Sequence, residues 1–276
     1  MGQELKTASS TWRWTAEEQG TLIMGEAPLV LHPRQFKNQP KLRYGVRSQA
    51  ASDIPFESQR QRNGERMCGA AALAMTLHSL GVPCTQEELW SEIACPDGEG
   101  HWAARTFHLA SAALRRAVPA LVIQVRDGWK NLERLAVDVP GLILNHRLES
   151  TSAQGHYSVL VDIDQEAALL HDPLFGPRRL VSRVQLESLW QPLRKHAEAN
   201  EIAGNVLVGI GPRVAHHGRC RQCDLPFPAH ITCGNCAQHF PLQPSTLLGC
   251  MRSGCGECRW QRLFCPFCDA AFQPIN

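Results

Sequence analysis

Cys68 is followed by Gly69-Ala70-Ala71-Ala72 and opens a stretch with Leu73, Leu77 and Leu80 at helical spacing. A thiol at a helix N-terminus meets free backbone N–H groups and the positive end of the macrodipole. Both favour the thiolate, which is the nucleophile. Such a nucleophile needs a base brought from elsewhere in the chain. His156 follows Gln154-Gly155 and opens the apolar segment Tyr157–Ile163, and Asp172, 16 positions on, ends the next such segment just before Pro173. Two neighbouring antiparallel strands bring such a histidine and carboxylate side by side, and the carboxylate would orient the imidazole and favour its protonated form. His171 adjoins Asp172, but consecutive strand residues point to opposite faces. His146 and His78 read as structural or exposed, and Cys84 and Cys95 as packing or surface residues.

A second population of cysteines has a different text. Nine of the 12 lie after residue 219, mostly as C-x-x-C pairs. Phe227, Phe240 and Phe272 each stand four residues past a pair, so the region repeats a small unit with one apolar anchor. Structural zinc takes four thiolate or imidazole ligands in a tetrahedron, and two C-x-x-C turns supply them. Read in chain order, Cys220, Cys223, Cys233 and Cys236 form one site and Cys255, Cys258, Cys265 and Cys268 a second, giving two structural zinc ions. Cys250 is left over and can substitute for Cys255, and interleaved pairing of the four knuckles is also open. The tail has few aliphatic residues, so metal binding would supply much of its folding free energy. Its exposed-type residues Arg219, Arg221, Arg252, Arg259, Arg262 and Trp260 suit a docking surface for a protein partner. Nucleic acid is a less favoured ligand, because no dense basic run appears.

The elements that must position these residues follow from periodicity. Helices are expected at Cys68–Leu80, from the capping box Thr85-Gln86-Glu87-Glu88 through Ile93, at Thr106–Arg116, and from the Ser182 cap over Val184–Leu193. Short segments rich in Val, Leu and Ile at Gly141–Asn145, Tyr157–Ile163, Ala167–His171 and Asn205–Ile210 read as strands. Helices first and strands afterwards imply an α+β class, helices packed on an antiparallel sheet. The division expected is an N-terminal arm or extension of unassigned role (1–50), a catalytic-type domain (51–212) and a small zinc-ribbon domain (213–276). In 276 residues, Lys+Arg 28 against Asp+Glu 26 gives a formal charge of +2, which argues against a chain built to wrap nucleic acid. No apolar run approaches the ~18 residues of a membrane span, and the first twenty residues are polar. The expectation is a cytoplasmic protein without a membrane partner; a dedicated secretion system could export it without a signal.

The order of motifs resembles a family. Ile54-Pro55-Phe56-Glu57-Ser58-Gln59, Cys68-Gly69-Ala70-Ala71-Ala72-Leu73-Ala74-Met75, Gly155-His156-Tyr157-Ser158-Val159-Leu160-Val161-Asp162 and His171-Asp172-Pro173 are similar to the papain-fold cysteine peptidases of the bacteriocin-processing (double-glycine leader peptidase) group. The resemblance runs from about Ile54 to Leu193. It implies a papain-like fold and a Cys–His–Asp triad: Cys68 as nucleophile, His156 as base and then acid, Asp172 as orienter. It also implies an upstream glutamine in the oxyanion hole, for which Gln59 and Gln61 compete, with the Cys68 N–H as second donor. The expected function is cleavage of a protein or peptide amide, with the zinc tail recognising substrate or partner. Two other readings fit the same residues. One is a non-catalytic adaptor of this fold that binds protein or nucleic acid. The other is a deamidase or isopeptidase-type effector or toxin.

Overall fold

The computed structural model describes residues 54–62, 65–96, 102–151, 154–192, 202–211 and 218–276. The expected N-terminal arm, residues 1–50, lies outside them. Two short hairpins, β1 (Gln61–Arg62) with β2 (Glu65–Arg66) and β3 (Ala94–Pro96) with β4 (Trp102–Ala104), flank helices α1 (Cys68–Ser79) and α2 (Gln86–Ile93). After α3 (Thr106–Arg115) come β5 (Ala120–Val125), α4 (Gly128–Asp138), β6 (Gly141–Arg147), β7 (Gly155–Ile163), β8 (Ala167–Asp172) and β9 (Gly176–Ser182). Helix α5 (Arg183–Trp190) and β10 (Val206–Ile210) follow, and the tail holds β11 (His230–Thr232), β12 (His239–Pro241), β13 (Trp260–Phe264) and β14 (Ala271–Phe272).

Eight strands form one antiparallel sheet in the order β14-β13-β5-β10-β6-β7-β8-β9. Side chains alternate across it. In β5, Ala120 and Val122 face a core shared with α1, α2 and α3, whereas Leu121, Ile123 and Val125 face a core shared with α4, α5 and the tail. This is the papain-like α+β class expected. Helix α1 is buried over ten of its 12 residues and apolar nearly all round, as a helix enclosed by a core must be. Both expected capping boxes are present: Thr85 with Glu88 starts α2, and Ser182 with Gln185 starts α5.

Some elements were not anticipated. Helix α4 buries Trp129, Leu132, Leu135 and Ala136 on one face, but its entry through Asp127 (φ 55°) and Gly128 (φ 44°) resembles a loop in sequence. The basic edge strand β9 also escaped the pattern. The largest surprise is the tail. Strand β13 pairs with β5 through Leu263↔Ile123 and Phe264↔Val122, so residues 218–276 share the sheet and a core with the part before them. Leu247 of the tail packs so closely on β10 that a Cβ at Gly209 would lie 2.6 Å from its Cδ1.

Candidate active site and metal centres

Cys68 is the first residue of α1, and neither a side-chain cap nor an acidic residue in the first turn competes for its free N–H groups. Small residues let this helix start lie deep in the fold. At Gly69 a Cβ would come within 3.1 Å of Ala104 Cβ and 3.2 Å of the Tyr157 ring. The Tyr157 hydroxyl donates to Ala104 O at 3.1 Å, tying β7 to β4 beside the helix start.

His156, at the beginning of β7, hydrogen-bonds Asp172 and lies close enough to Cys68 for the thiol to act on its charge. Its Nε2 lies 2.8 Å from Asp172 Oδ1, which leaves Nδ1 as the ring nitrogen for Cys68. All three side chains are buried, Asp172 completely. Burial alone would lower the His156 pKa, but the hydrogen bond to Asp172 and the neighbouring Cys68 thiol outweigh it and push it up to about 9. For Asp172, burial works upward. The His156 bond and the N–H groups of Leu174 and Phe175 win, holding its carboxyl down at about 2. Oδ1 accepts from Leu174 N (3.0 Å) and Phe175 N (3.2 Å) as well as from His156, while Oδ2 accepts from Arg179 Nη1 at 3.0 Å.

The other histidines separate cleanly. His171 turns away, with Nε2 2.8 Å from Ile54 O and Nδ1 accepting from Arg178 N. His78 pairs with Glu57 and lies 2.8 Å from Cys84 O, and burial pushes the Cys84 thiol up to about 11. His146 lies inside, not outside. It stands opposite His156 across the β6–β7 ladder, its ring centroid 5.3 Å away. Burial brings it down to about 4, so it is a neutral neighbour bonded to Arg147 O and Ser158 Oγ.

Of the two glutamines, Gln59 is tied to the site: its backbone N–H donates to Pro173 O at 2.9 Å, one residue past Asp172. Its side-chain Oε1 is buried without a hydrogen-bond partner among the described residues. Gln61 lies in the β1–β2 hairpin, and its side chain is outside the described residues. Sequence reasoning missed Arg179. Its only signal is a basic pair a few residues past the Asp-Pro step.

The tail thiols assemble in two groups of four, Cys220, Cys223, Cys250 and Cys255, and Cys233, Cys236, Cys265 and Cys268. The chain-order pairing is therefore corrected to the interleaved one, and Cys250 takes the place assigned to Cys258. Strand β13 gives the reason: five extended residues span about 16 Å, so the knuckles at its two ends cannot share an ion. Cys258, at the entry to β13, packs its thiol 3.4 Å from Trp260 O instead. Neighbouring sulfurs within the groups lie 3.5–3.7 Å apart. A tetrahedron with zinc–sulfur arms of ~2.3 Å has edges of about 3.8 Å, so both groups fit that ion. Arg252 N and Phe267 N donate to Cys250 Sγ and Cys265 Sγ at 3.3 and 3.5 Å, while burial pushes both thiols up. Among the described residues no helix is long and apolar enough to cross a membrane.

Comparison with known proteins bears on this geometry. The Peptidase C39 family model matches residues 56–194, half of the chain and all three residues of the buried cluster. An uncharacterised protein of Methanothermobacter marburgensis is 29% identical over 145 residues, 51% of this chain and 80% of the relative. Among solved structures, the peptidase domain of Streptococcus ComA, a bifunctional ABC transporter, is 14% identical with a TM-score of 0.44, covering 58% of this chain and 99% of that one. A C39-like peptidase from Bacillus anthracis is 19% identical with the same TM-score, 0.44, covering 59% and 97%.

Proposed function

We propose that this chain, which belongs to the Peptidase C39 family and is thereby a cysteine peptidase, cleaves amide bonds through Cys68, His156 and Asp172. The observation that carries the reading is the buried 2.8 Å contact between His156 and Asp172, with the Cys68 thiol close enough to raise the pKa of the same imidazole.

The chemistry would run as follows for these residues. The Cys68 thiolate attacks the carbonyl carbon, and the oxyanion accepts from the Cys68 N–H and the Gln59 side-chain amide. His156, protonated by the nucleophile, delivers that proton to the leaving amine as the C–N bond breaks, leaving a thioester. Neutral His156 then takes a proton from water, which attacks the thioester and releases the acid and Cys68. Asp172 holds the ring in one tautomer throughout. Gln59 is preferred over Gln61 because its backbone is bonded to the residue after Asp172.

The two four-thiol groups would hold structural zinc, which supplies cross-links and no chemistry at the peptide. Their burial in the core of α4 and α5 favours an architectural tail over a detachable recognition arm.

The test is the pH dependence of Cys68 alkylation in the metal-loaded protein, repeated on His156→Ala. An ordinary thiol ionises near ~8.5. Rapid labelling of Cys68 at pH 6 that disappears in the variant is expected. Slow labelling in both proteins would count against the triad. Hydrolysis should fall as pH rises through about 9, where His156 loses the proton that it gives to the leaving group.

A further inference from the structure

Asp172 is held from two sides. Its Oδ1 serves His156 and two backbone N–H groups, whereas Oδ2 has one partner among the described residues, the Arg179 guanidinium at 3.0 Å. Arg179 reaches in from β9, an edge strand of the sheet, with 38% of its side chain exposed while the carboxylate is fully buried. On the way it stacks on Phe175, its guanidinium carbon 4.5 Å from the ring centroid. Phe175 in turn stands edge-on to His156, with ring centroids 6.3 Å apart. Arginine, ring and carboxylate thus form one closed bracket around the His156–Asp172 bond.

We propose that Arg179 is a positioning residue of the reaction: it fixes the outer oxygen of Asp172, presses Phe175 over the His156–Asp172 bond, and shares the carboxylate charge that would otherwise act on His156 alone.

The physical need is specific. A buried carboxylate oxygen without a donor is costly. An imidazolium facing an undivided carboxylate would also hold its proton too tightly to pass it to a leaving amine. The charged and titratable groups around His156 are Cys68 from α1, His146 from β6, Asp172 from β8 and Arg179 from β9. His146 is neutral near pH 7, so among these Arg179 is the cation that offsets Asp172. The sign follows: removing a nearby positive charge favours the imidazolium, so His156 should hold its proton to higher pH.

The inference rests on reading His156 and Asp172 as the catalytic pair. Its test needs no substrate. The His156 ring is titrated by NMR, assigned with His156→Ala, in full-length metal-loaded wild type, R179M, R179Q and R179K. The expected result is a midpoint about one unit higher in R179M and R179Q and a return to the wild-type value in R179K. A midpoint that stays or falls in the neutral variants, or that rises equally in R179K, would overturn the role. A protein that titrates as stated but hydrolyses no peptide would count against the peptidase reading and leave Arg179 standing.

Discussion

The same side chain does two unlike things in this molecule. Cys68 is alone at a helix start, beside a histidine that a buried aspartate holds in place. The tail cysteines sit four together with sulfurs 3.5–3.7 Å apart, and no imidazole belongs to either group. One environment leaves a single thiol beside an imidazole, the pair that the proposed reaction uses. The other gathers four thiols that, once ionised, need a cation to relieve their mutual repulsion. Reactivity and structural inertness are therefore set by what surrounds the sulfur. The two regions meet in the sheet, because β13 leaves Cys255 and Cys258, pairs with β5 and ends at Cys265.

The largest effect expected is from removing the metal. A structural zinc contributes on the order of 10 kcal/mol in small zinc modules, and here two ions would clamp the two ends of β13, which joins the tail to β5. A strong chelator should lower the thermal midpoint by more than about 10 °C, with the β13–β5 amides losing hydrogen-exchange protection. If the tail unfolds and those amides stay protected, the two regions are independent.

Next is Cys68→Ala, expected to lower hydrolysis by about 10⁴-fold or more while mass spectrometry of the native protein still finds two metal ions. Loss of metal in that variant would merge the two cysteine populations. Trp260→Ala follows. Trp260 is fully buried between the regions and donates from Nε1 to Cys250 O at 2.8 Å. Its truncation should cost about 3–5 kcal/mol by denaturant unfolding. A cost near zero would mean the tail does not support the sheet.

The smallest effect sharpens the thiol assignment. Cys258→Ser should keep both ions and change stability by no more than about 1 kcal/mol, whereas Cys250→Ser should lose one ion. The reverse outcome would restore the chain-order pairing.

Much of the site was legible before the fold was seen. Cys68, His156 and Asp172 were picked out by a helix start and by the ends of two strands, and the structure brings them together. Strand periodicity also turned His171 away correctly, toward Ile54 O. His146, read as structural or exposed, is structural: its strand runs on to Arg147, and the ladder carries it inward, opposite His156. Helix α4 was missed because its first residues have loop-like φ values, and Arg179 because an edge strand of Pro, Arg and Arg carries no apolar alternation.

The sequence by itself determined what a few bonds can contain. A helix start with small residues, a capping box and a C-x-x-C turn are each complete within a few residues, so their chemistry can be read from spacing. Only the tertiary structure decided how those pieces combine. The pairing of knuckles depends on a strand of about 16 Å lying between them, and β13 becomes part of the sheet because β5 offers it an unpaired edge. Gln59 joins the site because its backbone meets Pro173, and Arg179 because β9 returns beside Asp172. These are contacts between segments far apart in the chain. Their outcome depends on path length and burial, and no local pattern encodes either.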